Sequence, residues 1–302
     1  MKLSARMKSE IGFSLAEMMI SMCILIPAMG AAMSLFSVGA NQHATEQSSI
    51  DANQEARSAF EMMTTEIAQA ASHGDRDTTL AAAINTPSSA PQDATVDSTA
   101  GFAVGDYVDV VDPAGTRETV ELTAVGTSTL TGVFRSAHPS GASVRLFAVP
   151  YPTGLITPAG MAANSSTTVT TLRFFGNIIG DNTVQYVEYA YNAGTNEITR
   201  SITPATQTTR NQPVVFVRNV KPNSVQFTLS TDSRGVATSA GIAMTVMNTV
   251  RSGSGYQETE LASRISIPSA MAASVLLDEN LRLGGFNRLP PTPPNVTPWI
   301  SQ

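Results

Sequence analysis

The sequence has few of the residues from which disulfide frameworks and catalytic sites are built. Its single cysteine, Cys23, excludes an intramolecular disulfide, and its three histidines, His43, His73 and His138, are far apart in the chain. The sequence has no zinc-type His or Cys spacing, no Gly-x-Ser-x-Gly elbow and no Gly-rich phosphate loop. These absences argue against a zinc enzyme, a serine hydrolase and an ATP-driven protein, and we expect a chain that is not an enzyme.

Charged residues are also scarce, at 14% of the chain, and the formal net charge is −6. This acidic balance argues against a broad nucleic-acid-binding surface, because phosphate contacts come from clustered Lys and Arg. From Met18 to Thr45 there is no Asp, Glu, Lys or Arg at all. A run of ~20 apolar residues is what a helix needs to cross the hydrocarbon core, so this stretch predicts a membrane span.

The residues ahead of the apolar run indicate its orientation. Lys2, Arg6 and Lys8 lie on the short flank, which predicts that this flank stays in the cytoplasm and that the rest of the chain lies outside it. A secretory signal has its small-residue cleavage site after the apolar region, whereas Gly12 stands before it. Glu17 is an acid at the start of a spanning helix, where an ionisable group is costly unless it is paired, so we expect it to have a partner.

The block Gly12-Phe13-Ser14-Leu15-Ala16-Glu17 resembles the processing signal of type IV prepilins and type II secretion pseudopilins. The resemblance implies that residues 1–12 are a leader, and that a prepilin peptidase cuts between Gly12 and Phe13 and methylates the new amine of Phe13. It also implies that residues 13–40 remain as a transmembrane helix of the bacterial inner membrane and later form filament core. Glu17 would then pair with the amino terminus of a neighbouring subunit's Phe13.

One feature of this helix departs from the family pattern. Family members often have a proline near the position of Ser34, whereas this chain has Pro27 followed by Gly30. A proline inside a spanning helix is tolerated when neighbours satisfy the freed carbonyl, so we expect a kink at Pro27 and Gly30. The other interpretation of the whole segment is an uncleaved single-pass anchor.

After the apolar run, the helix is predicted to continue as an amphipathic segment over residues 41–72, ending at His73-Gly74. Its apolar stripe recurs at steps of three and four, and Glu66 is expected on another face. The stripe comprises Ile50, Asn53, Ala56, Phe60, Met63, Ile67 and Ala71.

Short β-branched runs between turn residues predict two groups of strands. The first group comprises residues 107–111, 118–125, 128–134 and 143–149, and the second comprises residues 170–175, 184–191, 198–202, 214–220, 225–229, 242–250 and 258–267. We interpret residues 75–99 as mostly irregular, residues 93–149 as an inserted β module and residues 168–270 as an antiparallel core sheet. The helix stripe and the apolar sheet face predict an α+β fold in which the spine helix packs on the sheet. This order is similar to that of minor pilins of the PilW and GspJ type.

Two further features concern the tail and a cation. The Pro-rich tail, residues 285–302, is expected to be extended or disordered. For Trp299 the alternatives are a docking role and a position in solvent, and we expect solvent because chain termini are usually poorly ordered. Asp75, Asp77, Asp93 and Asp97 could offer oxygen ligands to Ca²⁺, but their spacing fits no defined calcium loop. We therefore expect surface acids and no cofactor.

These features, together with the resemblance, predict a structural subunit that starts or caps a type IV pilus or a type II secretion pseudopilus. Its expected partners are a prepilin peptidase, other major and minor pilins or pseudopilins, and the inner membrane, with the head in the periplasm. Two alternatives from other classes stay open. One is an anchored extracytoplasmic enzyme or ligand-binding protein with a deep polar-lined pocket, and the other is an adhesin that binds through residues 93–149.

Overall fold

A long helix followed by antiparallel strands makes the fold α+β. The computed structural model describes residues 14–148, 154–252, 255–271 and 297–300. Helix α1 spans Leu15–Ala68, which corresponds to about 80 Å at 1.5 Å per residue. Its residues up to Ala52 group with residues 248–257 as one unit, and residues 53–247 and 258–302 form the other, which we call the head.

The first six strands of the head form one antiparallel sheet, the module sheet. They are β1 (Asp77–Thr79), β2 (Gln92–Thr95), β3 (Tyr107–Val111), β4 (Arg117–Val125), β5 (Thr129–Gly132) and β6 (Ser143–Ala148). Their spatial order is β1-β6-β3-β4-β5-β2. This sheet has its own hydrophobic core, which includes Val108, Val110, Val120, Leu122, Leu130 and Val144.

The inserted module therefore begins earlier than expected. The interpretation of residues 75–99 as mostly irregular is wrong where β1 and β2 lie, and both strands are edges of the module sheet. The remaining module strands agree with the sequence prediction. The module occupies residues 77–148 instead of 93–149.

Eight further strands form two four-stranded sheets, where one core sheet was expected. They are β7 (Ser166–Val169), β8 (Thr171–Gly176), β9 (Gln185–Asn192), β10 (Glu197–Pro204), β11 (Val214–Val217), β12 (Gln226–Thr231), β13 (Ala237–Ser252) and β14 (Gly255–Ser266). The first core sheet has the order β11-β10-β9-β8, and the second has the order β14-β13-β12-β7. A short helix, α2, follows at Thr297–Ile300.

The main core lies between the second half of α1 and these two sheets. Ala56, Phe60, Met63 and Ile67 of the predicted stripe are buried, whereas Ile50 is half exposed. They share one cluster with residues of both sheets, among them Phe174, Tyr189, Phe227, Leu229, Ile242 and Ile265. Packing of the helix on antiparallel sheets, as predicted, is confirmed.

The end of α1 is fixed by close backbone contacts. The helix ends at Ala68, four residues before the expected end, and Ala71 takes a left-handed conformation with φ of 63°. The Ala71 N–H donates to the Phe175 carbonyl at 2.8 Å. A Cβ at Gly154, where φ is +67°, would lie 2.2 Å from the Ala71 nitrogen, so this position requires glycine.

Candidate functional site

The first half of α1 is an apolar surface that the rest of the described chain leaves uncovered. Every large apolar side chain from Leu15 to Val38 is more than half exposed, from 52% at Val38 to 79% at Leu15. The helix is long and apolar enough to cross a membrane. A helix that is apolar on all faces needs lipid or other protein around it, and this property makes the segment the candidate functional site.

The start of this helix is closed by a reciprocal set of hydrogen bonds. The Ser14 hydroxyl oxygen accepts from the backbone N–H groups of Ala16 and Glu17, at 3.2 and 3.4 Å. A carboxylate oxygen of Glu17 accepts from the Ser14 N–H at 3.0 Å. This arrangement is a capping box, which satisfies backbone donors that have no partner within the helix.

The capping box changes what the sequence suggested about Glu17. The carboxylate has a local partner, the Ser14 N–H, and the Ser-x-x-Glu pattern that signals it could have been recognised from the sequence. That partner carries no charge. Among the described residues no Lys, Arg or His forms an ion pair with Glu17, so its negative charge is available to a group from elsewhere.

Polar side chains within the apolar segment bond back to the helix itself. The Ser21 hydroxyl donates to the Glu17 carbonyl at 2.7 Å, which removes a free donor from the apolar surface. The helix is continuous through Pro27 and Gly30, and the kink expected there stays a prediction. Gly12 and Phe13, the predicted cleavage and methylation residues, lie outside the described residues.

No family model matches the chain. Nor does any curated protein or solved structure match it.

The four aspartates proposed for a cation do not form a site in the described part of the chain. All four are exposed; Asp93 accepts from the Thr131 hydroxyl at 2.6 Å, and Asp97 accepts from the Thr79 hydroxyl. Within the described residues, no group of three or more His, Cys, Asp or Glu side chains is placed to hold a metal ion. The four acids lie on the surface of the head.

His138 is part of a polar cluster that sequence reasoning missed. Its ring is buried in the module, with Nδ1 2.6 Å from Asp112 and Nε2 2.9 Å from Glu118. Glu118 also accepts the Arg135 N–H at 2.9 Å. The His138 side chain has no exposed surface, and through Asp112 and Glu118 it ties the β3–β4 turn to the loop before β6.

Two further polar clusters connect elements of the head. Glu66 of α1 is buried, where the sequence analysis expected an outward face, and it accepts from Arg200 and from the Tyr189 hydroxyl. Burial, and then the Glu66 charge, raise the pKa of Tyr189 well above its usual range. Buried acids that are fully paired in this way hold a structure in register.

The second cluster centres on Glu188 of β9. One of its carboxylate oxygens accepts from Arg173 at 3.1 Å, from Arg210 at 3.0 Å and from the Tyr186 hydroxyl at 2.8 Å. Burial, and then the Glu188 charge, raise the pKa of Tyr186 above its usual range. The cluster holds Tyr186 in one orientation.

The expectation of a solvated Trp299 is wrong. The side chain is only 8% exposed and packs with Phe175, Tyr186 and Ala205. The sequence offered no periodic signal for this contact, because the short helix α2 is isolated from the other described elements in the chain. The other expectations for the tail fall on residues 285–296 and 301–302, which lie outside the described residues.

Proposed function

We propose that the chain is a minor pilin or pseudopilin. It is a structural subunit that loses residues 1–12, enters a filament through the apolar half of α1 and carries a β-rich head. The observation that supports this best is a capped, uncovered apolar helix that starts directly after Gly12-Phe13. Before assembly, lipid of the inner membrane covers the helix, and the head lies in the periplasm.

Assembly follows from the charge at the start of the helix. Cleavage after Gly12 creates an amine on Phe13, four residues before Glu17 in the sequence, and among the described residues the Glu17 carboxylate has only a neutral partner. An amine from a neighbouring subunit neutralises this acid in an apolar surrounding, where an unpaired charge is costly. The pairing thereby sets the axial register between two subunits.

The head favours a minor component over the repeated subunit of a filament shaft. The inserted module, residues 77–148, adds a six-stranded sheet with its own core beside the two core sheets. A head of this size obstructs regular close packing of many copies. We therefore place a few copies at the start or the tip of a type IV pilus or type II secretion pseudopilus.

Mass spectrometry of the amino terminus of the full chain, purified from its own host, tests the proposal. The expected result is a chain that begins at an N-methylated Phe13. An intact Met1 on the membrane-bound protein would overturn the proposal and favour an uncleaved anchor for a binding or enzymatic head.

A further inference from the structure

In the head, Trp299 fills a pocket whose walls come from parts of the chain that are distant from it in sequence. Phe175 comes from β8, Tyr186 from β9, and Ala205 directly follows β10. Half-buried Ile156 and Val184 pack at its side. The occupant, Trp299, comes from α2, so the walls of the pocket and the group that fills it belong to separate segments.

The aromatic rings in the pocket meet in a favourable geometry. The ring centroids of Tyr186 and Trp299 are 5.4 Å apart at 58°, and those of Phe175 and Tyr186 are 5.5 Å apart at 57°. Tilted pairs at such distances are preferred over face-to-face stacks and add to the burial of apolar area. The pocket therefore selects an aromatic side chain, and tryptophan fills it.

The polar side of the pocket is fixed without help from the tail. Glu188 accepts from Arg173 and Arg210 and from the Tyr186 hydroxyl, all within the first core sheet and its β10–β11 loop. The Tyr186 hydroxyl also lies 3.3 Å from the Trp299 carbonyl, where it can share its proton. The receptor side is thus preorganised, which lowers the cost of binding.

The chain between pocket and occupant is long. Residues 272–296 separate Met271 from α2, and 25 residues extend to at most roughly 80 Å. The head comprises about 240 residues, and a domain of that size has a radius of gyration of about 18 Å. The maximum reach of 25 residues therefore exceeds the width of the head, and it is long enough for α2 to meet the head of an adjacent copy.

We propose that the pocket is a docking site between subunits, which takes the Trp299 segment of a second copy of this chain in place of its own. Both copies have the same pocket and the same segment, so exchange keeps every contact in the pocket. A neighbour held close by any other contact presents its segment at a high local concentration, which favours exchange. The inference goes beyond the proposed function and does not depend on cleavage after Gly12.

The chain offers a direct reporter, because Trp299 is its only tryptophan. The Trp299→Ala variant has an empty pocket and no tryptophan emission, whereas Ala205→Leu fills the pocket and displaces its own Trp299. Both full-length variants are mixed in equal amounts in detergent, and tryptophan emission and acrylamide quenching are measured. We expect the emission of the mixture to shift to the blue and its quenching to fall several-fold relative to Ala205→Leu alone.

The matched control is a mixture of Ala205→Leu with the double variant Trp299→Ala/Ala205→Leu, which has no open pocket and should leave the emission unchanged. Equal spectra for both mixtures would overturn the proposal. If Ala205→Leu does not fold, a synthetic peptide of residues 295–302 is added to Trp299→Ala instead. Saturable blue-shifted emission from that peptide supports the proposal, and emission identical to that of the free peptide overturns it.

Discussion

At the scale of single residues, Glu17 has two separable roles. Its carboxylate caps the helix by accepting the Ser14 N–H, and its charge is the proposed partner of a neighbour's Phe13 amine. Either role would make a deletion of the side chain harmful. The two can be separated because glutamine is also accepted at the third position of a capping box, through its neutral amide oxygen.

Three variants divide these roles. Glu17→Gln keeps the cap and loses the charge, Ser14→Ala keeps the charge and loses about 1 kcal/mol of capping energy, and Glu17→Ala loses both. We expect cleavage after Gly12 in all three, a strong drop in filament incorporation for Glu17→Gln and Glu17→Ala, and a weak drop for Ser14→Ala. The measurement is the amount of each protein in sheared filaments. Wild-type incorporation of Glu17→Gln would show that the charge has no role in assembly.

Glu66 shows how a polar residue can escape sequence reasoning. Helical periodicity placed it on an outward face, yet its carboxylate is buried against Tyr189 of β9 and Arg200 of β10. Arg200 also lies over the Phe216 ring, 5.4 Å from its centroid. Periodicity reports the apolar stripe of one helix, but these partners are more than 120 residues away and have no local signal.

Removal of Glu66 should be costly because it leaves Arg200 unpaired in a mostly buried position. We expect Glu66→Ala to lower the free energy of unfolding by about 3 kcal/mol. Glu61→Ala, at an exposed position of the same helix, should change it by less than about 0.5 kcal/mol. Urea denaturation of the head measures both. Equal effects of the two variants would mean that the ion pair does not hold α1 on the sheet.

Tyr189 makes the stability of the head depend on pH in the alkaline range. Its pKa is raised from the ordinary value of 10.0, first by burial and then by the Glu66 charge. Above pH 10 the unfolded chain releases this proton while the folded chain keeps it, so stability is full below that pH and falls as pH rises. Each such tyrosine lowers the free energy of unfolding by up to about 1.4 kcal/mol for every pH unit in this range.

The Tyr189→Phe variant tests this sign. It should be less stable than wild type at pH 8, where it lacks the hydrogen bond to Glu66, but the difference should shrink between pH 10 and 11. Urea midpoints at the three pH values give the comparison. A constant difference across this range would exclude a raised pKa for Tyr189.

At the scale of elements, the strands that the sequence analysis missed have one property in common. β1, β2 and β7 are short, rich in Asp, Gln, Ser and Thr, and lie at the edges of their sheets. Edge strands are exposed on one side and are often short and polar, so they lack the apolar alternation that marks a buried strand. The strands between them, such as β3 and β12, bury apolar residues and were predicted nearly to the residue.

The pairing of β1 with β6 makes the module removable. Asp77 lies opposite Arg145, and Thr79 lies opposite Ser143. The chain therefore enters and leaves the module on neighbouring strands. A short Gly-Ser linker in place of residues 77–145 can join these ends, which removes all of the module except the last three residues of β6. The module core is also separate from the main core.

We expect the shortened protein to retain the buried emission of Trp299 and a cooperative unfolding transition. As a matched comparison, Val108→Asp in the module core should spare the Trp299 emission, whereas Phe174→Asp in the main core should not. Loss of the Trp299 signal in the shortened protein would show that the core sheets need the module to fold.

At the scale of the whole molecule, the chain has two surfaces with different solvent requirements. The head buries its apolar residues in three clusters among the described residues, whereas the apolar half of α1 is left uncovered. The sequence was sufficient to predict this division, because the long stretch without charged residues can be seen in the sequence itself. It was not sufficient for the Trp299 pocket or the buried ion pairs, which depend on contacts between distant parts of the chain.

The uncovered segment predicts how the full chain behaves in cell fractions. Burial of Leu15 to Val38 in lipid removes many apolar side chains from water at once, so the protein should stay with membranes in high salt and at alkaline pH and dissolve only in detergent. A fragment of residues 46–302, which keeps the packed half of α1, should stay in solution without detergent.

The variant Ile24→Lys/Met29→Lys tests whether the apolar run is what holds the chain in the membrane fraction. Both changes lie in the centre of that run and far from the head in sequence. Each lysine at the centre of a spanning helix costs about 3 kcal/mol of insertion energy. The double variant should therefore shift into the salt-extractable or soluble fraction, while its head retains the Trp299 emission of wild type. Full extraction of the unchanged chain by salt alone would place α1 on the membrane surface or in a protein complex, and would remove the lipid-embedded state from which the proposed assembly starts.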